Sequence, residues 1–385
     1  MSSKLRISIA ALCASFAASV AAAPTIVPQA PAVSAKGYVL LDYNSGQIIA
    51  DKSAHTPLKP ASLTKLMTSY VTGREMKSGN IAMDDKVVIS RNAWSRNFPD
   101  SSKMFIEVGK TVEMSDLFRG LIVQSGNDAS VAIAEHVASS EQSFVDLMNA
   151  WAKKLELNNT YFENSHGLDT PNQASTPYDI AKLSQALIRD LPDLYPIYSE
   201  TSFSYNGITQ NNRNRLLHDR SINVDGLKTG YTSGAGYSLV TSATQGDMRL
   251  ISVVMGSNST NSRAAESKAL LNYGFRFFDT VKPHQMNETV IEQRLYMGSE
   301  NQVALGLSEP IYITTTRGER AHIQAEANVN STLKAPISKG QVLGTVDYLD
   351  RSGEVIKSAD LIALADVEKG GIFKQLLDWI KLLFV

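Results

Sequence analysis

Apolar residues follow two rhythms along this chain, and the change from one to the other divides it. Leu63, Leu66, Met67, Tyr70 and Val71 recur at helical spacing, with Pro60 at a first turn that can spare its N–H and Lys77-Ser78-Gly79 as a stop. Further helices are expected over residues 114 to 123, 129 to 137, 144 to 155 and 177 to 189. Tyr38-Val39-Leu40-Leu41-Asp42 and Gln47-Ile48-Ile49-Ala50 flank Asn44-Ser45-Gly46 and predict a hairpin. Strands are expected over residues 202 to 205, 237 to 243 and 249 to 255, the last two joined by Gln245-Gly246-Asp247. Residues 81 to 112 read as irregular, with strand-like pieces at Lys86-Val87-Val88-Ile89 and Met104-Phe105-Ile106. From about residue 281 the period becomes two: Val303, Leu305, Leu307, then Ile311, Ile313, Thr315, then Ile323, Ala325, Ala327, Val329. That alternation predicts a small all-β domain over residues 281 to 366, preceded by a larger domain over residues 35 to 280.

Both ends carry patterns of their own. Residues 1 to 23 place Lys4 and Arg6 before an apolar run and end in Ala21-Ala22-Ala23, the layout of a secretory signal peptide, with residues 24 to 34 as a linker. The mature chain is therefore expected to be exported. At the other end Ile372, Phe373, Leu376, Leu377, Ile380, Leu383 and Phe384 share one helical face, opposite Lys374, Gln375, Asp378 and Lys381. At about 1.5 Å per residue this segment is too short to cross a hydrocarbon core of about 30 Å. Residues 367 to 385 are instead expected to lie in the membrane interface as an amphipathic anchor, detached by Gly370-Gly371.

Composition narrows the chemistry. A length of 385 residues suits two domains, and a formal charge of −1 without a basic block gives no footing for nucleic acid. The single cysteine, Cys13, lies in the leader, so the mature chain has neither disulfides nor a thiol nucleophile. His55, His136, His166, His218, His284 and His322 show no metal-ligand spacing, and no cofactor is implied.

Three fragments carry candidate chemistry. Ser62 and Lys65 stand one turn apart on one face at a helix start. A serine hydroxyl becomes nucleophilic when a base takes its proton, and a lysine serves if burial and a second cation depress its proton affinity. Gln124-Ser125-Gly126-Asn127-Asp128 is a polar break between two apolar helices, able to push a hydroxyl and an amide into a cleft. Lys228-Thr229-Gly230 precedes two strands; on an edge strand its backbone can pair with an extended ligand, its side chains can hold a carboxylate, and Gly230 permits close approach. Singly each is weak: Ser331-Thr332-Leu333-Lys334 repeats the first, and Ser-x-Asn recurs from Ser90, Ser95, Ser221 and Ser259. Their joint order, Ser-x-x-Lys, Ser-x-Asn, Lys-Thr-Gly, each in a fitting context, is specific.

On these motifs the chain resembles the low-molecular-mass penicillin-binding proteins, specifically the D-alanyl-D-alanine carboxypeptidases of the type 5 and type 6 group. His166-Gly167-Leu168-Asp169, Asn223 to Gly230 and Gly274-Phe275-Arg276-Phe277-Phe278 extend the likeness over nearly the whole chain. The resemblance implies an α+β fold: a penicillin-binding or β-lactamase-like transpeptidase domain, its antiparallel sheet built from both ends of residues 35 to 280 and packed with helices, then a small all-β sandwich domain. It implies that Ser62 attacks the carbonyl between the terminal D-alanines of a peptidoglycan stem peptide, with Lys65 as base and Ser125 and Lys228 in its hydrogen-bond network. Lys228 would hold Lys65 unprotonated by like-charge repulsion, and Asn127 would bind the peptide side of the substrate. Thr229, Gly230, Arg213 and Arg263 would line the carboxylate end, with backbone N–H groups of Ser62 and of the Lys228 strand as the oxyanion hole. His166 would stand beside the site. β-Lactams would be covalent inhibitors, and the enzyme would sit on the periplasmic face of the bacterial inner membrane.

One residue departs from the pattern: several relatives place His after Lys-Thr-Gly, whereas Tyr231 follows here, with consequences for deacylation or substrate preference. Rival readings on the same chemistry are a β-lactamase and a DD-endopeptidase. The first needs a Glu-x-x-Leu-Asn loop, and the nearest look-alike, Lys154-Leu155-Glu156-Leu157-Asn158, has the wrong spacing. A non-catalytic wall-binding protein is a rival of another class, though such a binder has no need of Lys65.

Overall fold

The computed structural model describes residues 26–384, so the leader-like run over residues 1 to 23 lies outside the described residues. The first part opens with strands β1 (Gly37–Asp42) and β2 (Ile48–Lys52), turning at Gly46 with φ 74°. Helix α1 (Thr64–Lys77) follows, then the short pair β3 (Lys86–Val88) and β4 (Thr111–Glu113). Next come α2 (Met114–Ile122), α3 (Asn127–Ala138), α4 (Glu141–Lys154) and α5 (Pro177–Asp190). The hairpin of β5 (Ser202–Tyr205) and β6 (Ile208–Asn211) leads into β7 (Asn223–Thr232), β8 (Gly236–Gln245) and β9 (Met248–Ser257), and α6 (Thr260–Phe277) ends this part.

β1 pairs antiparallel with β9, Val39 opposite Val253, so the sheet runs β2-β1-β9-β8-β7 and joins both ends of the part, as expected. Alternation along β1 decides which layer each residue joins. Val39 and Leu41 enter the core shared with Leu63, Leu66 and Met67, while Leu40 faces Leu270 and Leu271 of α6 across the other side. The order leaves β7, which carries Lys228-Thr229-Gly230, at an edge.

Three local expectations are corrected. Helix α1 is buried on every side rather than along one stripe: Thr64, Lys65, Thr68, Ser69 and Thr72 are at most 1% exposed. Several of its polar groups bond within the protein, Thr68 Oγ1 donating to Ser165 O at 2.5 Å and Thr72 Oγ1 to Thr68 O at 2.7 Å, whereas Thr64 Oγ1 is buried without a hydrogen-bond partner. Met104-Phe105-Ile106 forms no strand, because the N–H groups a neighbouring strand would take go to the Asp128 carboxylate at 2.7, 2.9 and 3.2 Å. The C-terminal helix departs from expectation as well.

The second part contains β10 (Phe278–Val281), β11 (Thr289–Tyr296), β12 (Gln302–Gly306), β13 (Ile313–Thr316), β14 (Gln324–Val329), β15 (Leu333–Lys334), β16 (Val342–Leu349) and β17 (Val355–Ala363). β10 pairs with β13, and the others form one sheet in the order β14-β16-β17-β12-β11-β15 over a core of Leu295, Leu305, Val346, Tyr348 and Leu361. Ser45 and Thr314 hydroxyls meet at 2.5 Å and Thr280 donates to the Asp42 carboxylate, tying the β1–β2 turn to the second part.

Helix α7 (Ile372–Leu382) is docked, not detached. Gly370 N donates to Met297 O at 2.8 Å, and Met297 N donates to Asp378 Oδ2 at 2.9 Å. Asp378 is 1% exposed, with Lys381 Nζ at 3.2 Å and Arg294 at 3.8 Å. The polar face thus meets protein, while Ile372, Phe373, Leu376, Leu377 and Phe384 face outward. No described helix is long and apolar enough to cross a membrane.

Candidate active site

Ser62 lies in a short 3-10 turn, Ala61–Leu63, immediately before α1, and Lys65 occupies the first turn of the helix. Ala61 takes φ 48°, a left-handed value that costs a side-chain-bearing residue about 1–2 kcal/mol and needs support from its surroundings. Two glycines supply that support by letting backbone close on the turn. A Cβ on Gly167, at φ +90°, would stand 1.9 Å from Ala61 O; one on Gly230 would stand 3.1 Å from Pro60 O. The His166–Gly167 loop and strand β7 therefore press on the serine's turn.

Lys65 is fully enclosed, 1% exposed, and its Nζ has three neighbours. It donates to Asn127 Oδ1 and to the His166 carbonyl, both at 2.6 Å, and lies 3.5 Å from Ser62 Oγ. A neutral amine has two N–H groups and one lone pair. With both N–H groups engaged by Asn127 and His166, the lone pair remains for the serine hydroxyl. Burial, then the positive charge of Arg213, lower the Lys65 pKa to about 7, against the opposing pull of Asp128 and Glu141. The expected repulsion between the two lysines is seen on Lys228: burial first, then Lys65, Arg213 and Arg263, push that ammonium well below the usual lysine range.

Ser125 sits in the expected loop between α2 and α3, held in the left-handed region at φ 59° and 2% exposed. Lys228 is 3% exposed on β7, opposite Val240 of β8. Neither hydrogen bonds to Lys65 among the described residues; the amine's partners are Asn127 and His166. Asn127 also donates from Nδ2 to Ser101 Oγ at 2.9 Å, so its amide is turned toward Lys65 and Ser101.

Ser62, Ser125, Asn127, Arg213, Thr229, Gly230, Tyr231, Tyr237 and Arg263 line one cleft of about 670 Å³. Arg213 Nη1 donates to Gln124 O at 2.8 Å. Arg263 is 5% exposed and donates to Gly230 O at 3.1 Å and to Ser238 O at 3.4 Å, so its fork backs the Lys-Thr-Gly strand. Burial, Arg213 and Arg215 lower its pKa to about 10, leaving it charged at neutral pH. Tyr231 stacks on Tyr237 at 4.4 Å between centroids on the cleft rim. His166 contributes its backbone carbonyl; its Nδ1 accepts from Leu168 N at 3.1 Å, and burial and Lys65 lower its pKa to about 3, so the ring stays neutral. Asp128 and Asp169 fall within the quoted motifs without a role of their own, and Ser101 lies outside them. Asp128 was signalled only by a carboxylate directly before an apolar helix, and Ser101 by nothing local. Asp169 accepts from Lys59 at 3.2 Å and from Thr232 at 2.8 Å, bracing the loop against the end of β7.

The sequence pattern of D-alanyl-D-alanine carboxypeptidases matches residues 24–259, and that of the penicillin-binding protein 5 C-terminal domain matches residues 278–369. The chain belongs to the D-alanyl-D-alanine carboxypeptidase family. It is 47% identical over 360 residues to the D-alanyl-D-alanine carboxypeptidase DacC of Escherichia coli, covering 92% of this chain and 90% of the relative. The crystal structure of penicillin binding protein 5 from Haemophilus influenzae superposes with a TM-score of 0.86 at 48% identity, covering 89% of this chain and all of that one. Penicillin-binding protein D2 of Listeria monocytogenes, solved in an ampicillin-bound form, matches at a TM-score of 0.58 and 27% identity, covering 64% of this chain and all of that chain. The chain is therefore a carboxypeptidase hydrolase of the penicillin-binding fold with a C-terminal all-β part.

Proposed function

We propose that this carboxypeptidase removes the terminal D-alanine from peptidoglycan pentapeptide stems through an ester on Ser62. The observation that carries the reading is the Lys65 amine, with both N–H groups engaged and its lone pair left for Ser62 Oγ at 3.5 Å, a spacing that tightens on substrate binding. Lys65 takes the hydroxyl proton as Oγ bonds to the carbonyl carbon. The C–N bond to the last D-alanine then breaks, and the proton passes to the leaving amine with Ser125 and Lys228 alongside. Water cleaves the ester and frees Ser62. The peptide lies extended along the open edge of β7, where strand-like pairing fixes its register. Thr229 and Arg213 meet its carboxylate, Arg263 holds the Gly230 backbone in place, and the N–H groups of Ser62 and of β7 receive the oxyanion. Tyr231 forms the cleft rim. β-Lactams acylate the same serine.

The chain is read as leader, linker, catalytic domain over residues 35 to 280, β domain over 281 to 366, and anchor over 367 to 385. The exported enzyme rests on a membrane surface by the outward apolar face of α7, and the β domain holds the cleft away from the lipid. Release of D-alanine from a synthetic pentapeptide tests the reaction. Ser62→Ala is expected to abolish release with the thermal transition unchanged, and retained release would refute the assignment.

A further inference from the structure

We propose that Glu141, at the start of α4, is a positioning residue for the Lys65 base, clamping the Ser165–His166 loop whose carbonyl holds the amine and setting a carboxylate charge behind that loop. The inference rests on the Lys65 reading above. Glu141 Oε1 accepts from Ser165 N at 3.0 Å and from Ser165 Oγ at 2.7 Å. The same oxygen lies 3.7 Å from His166 Nε2. Because His166 Nδ1 accepts from Leu168 N, the ring proton resides on Nε2 and points to this carboxylate. The Ser165 carbonyl meanwhile accepts from Thr68 Oγ1 at 2.5 Å and Ser130 Oγ at 2.7 Å, so the loop is fixed to α1 and α3 on one side and to α4 through Glu141 on the other. The His166 carbonyl emerges between those anchors and receives Lys65 at 2.6 Å. A shift of that carbonyl would free an N–H of Lys65 and turn the lone pair from Ser62.

The second effect is electrostatic. Charged and titratable groups face Lys65 from several elements: Asp128 on α3, Glu141 on α4, His166 in the loop, Arg213, and Lys228 on β7. Arg213 lowers the proton affinity of Lys65, whereas Asp128 and Glu141 raise it. Asp128 is bound to four backbone N–H groups, so its removal would unmake the 104–106 segment. Glu141 is the carboxylate of the two that can be altered with less disturbance, since a glutamine oxygen still accepts from Ser165.

The test is the pH profile of kcat/KM for D-alanine release by the full chain, compared between the unaltered protein, Glu141→Gln and Glu141→Ala. Glu141→Gln keeps the acceptor and loses the charge, so its acid limb is expected to move to lower pH. Glu141→Ala loses both and is expected to drop kcat about tenfold, as displaced reacting groups do. A Glu141→Gln limb that coincides with the unaltered one overturns the proposal, as does a Glu141→Ala rate equal to the unaltered rate. If Glu141→Ala fails to fold, the Glu141→Gln profile decides alone. An unaltered protein with no acid limb near pH 7 overturns the Lys65 assignment and this inference together; a limb present but unmoved overturns only the role of Glu141.

Discussion

At the scale of single residues, the site is a problem of keeping one amine neutral in a place where water cannot reach it. Lys65 is brought to about 7 by burial and by Arg213, so activity is expected to rise as pH passes upward through 7, where the amine loses its proton and can accept one from Ser62. Below that pH the amine is charged and the lone pair is gone. His166, at about 3, remains neutral across the range and adds no limb of its own. Arg213→Ala removes the cation that helps discharge Lys65, so the acid limb should move to higher pH, opposite to the Glu141→Gln displacement. Loss of a charged partner for the substrate carboxylate should also raise KM about tenfold. Steady-state kinetics on a synthetic pentapeptide between pH 5 and pH 9, roughly two units either side of the lysine's value, reads both.

At the scale of elements, two glycines decide whether the loop and strand can close on the nucleophile's turn. Gly167→Ala would place a methyl 1.9 Å from Ala61 O at a positive φ, and is expected to destabilise the fold by about 3 kcal/mol and to lower kcat more than KM rises. Thermal unfolding together with kinetics checks this. Helix α7 offers a contrasting case: Asp378→Ala should speed hydrogen exchange of the α7 amides by releasing the carboxylate from Met297 N, with D-alanine release from a soluble peptide unchanged. These elements also show what a sequence discloses. The β1–β2 turn and the Ser62–Lys65 pair were legible because glycine turns and helical spacing are local signals, whereas the edge position of Lys228-Thr229-Gly230 follows from the order of strands in the sheet, which no local pattern carries. Helix α6 was not legible, since its buried Leu270, Leu271, Tyr273 and Phe275 crowd into its second half and leave no stripe along the first. The 104–106 segment looked like a strand, and only the distant Asp128 carboxylate explains why its N–H groups turn elsewhere. Asp378 read as a solvated polar residue, because nothing local announces Met297 as its partner.

At the scale of the whole molecule, contacts at the junction of the two parts fix how the cleft is carried. The Asp42–Thr280 and Ser45–Thr314 pairs hold the β1–β2 turn, and Arg317 donates to Phe275 O at 2.7 Å across the same junction. Deleting residues 371 to 385 is expected to move the protein from the membrane fraction to the soluble fraction while leaving release from a soluble pentapeptide intact; sedimentation after extraction reads the first and kinetics the second. In the proposed reaction one atom is decisive, the Oγ of Ser62, which becomes the nucleophile beside Lys65. Incubating the full chain with penicillin and locating the covalent adduct by peptide mass spectrometry asks that question most directly. The adduct is expected on the peptide containing Ser62 and is expected to vanish in Ser62→Ala. An adduct on another peptide, or one that persists in that variant, would contradict the account.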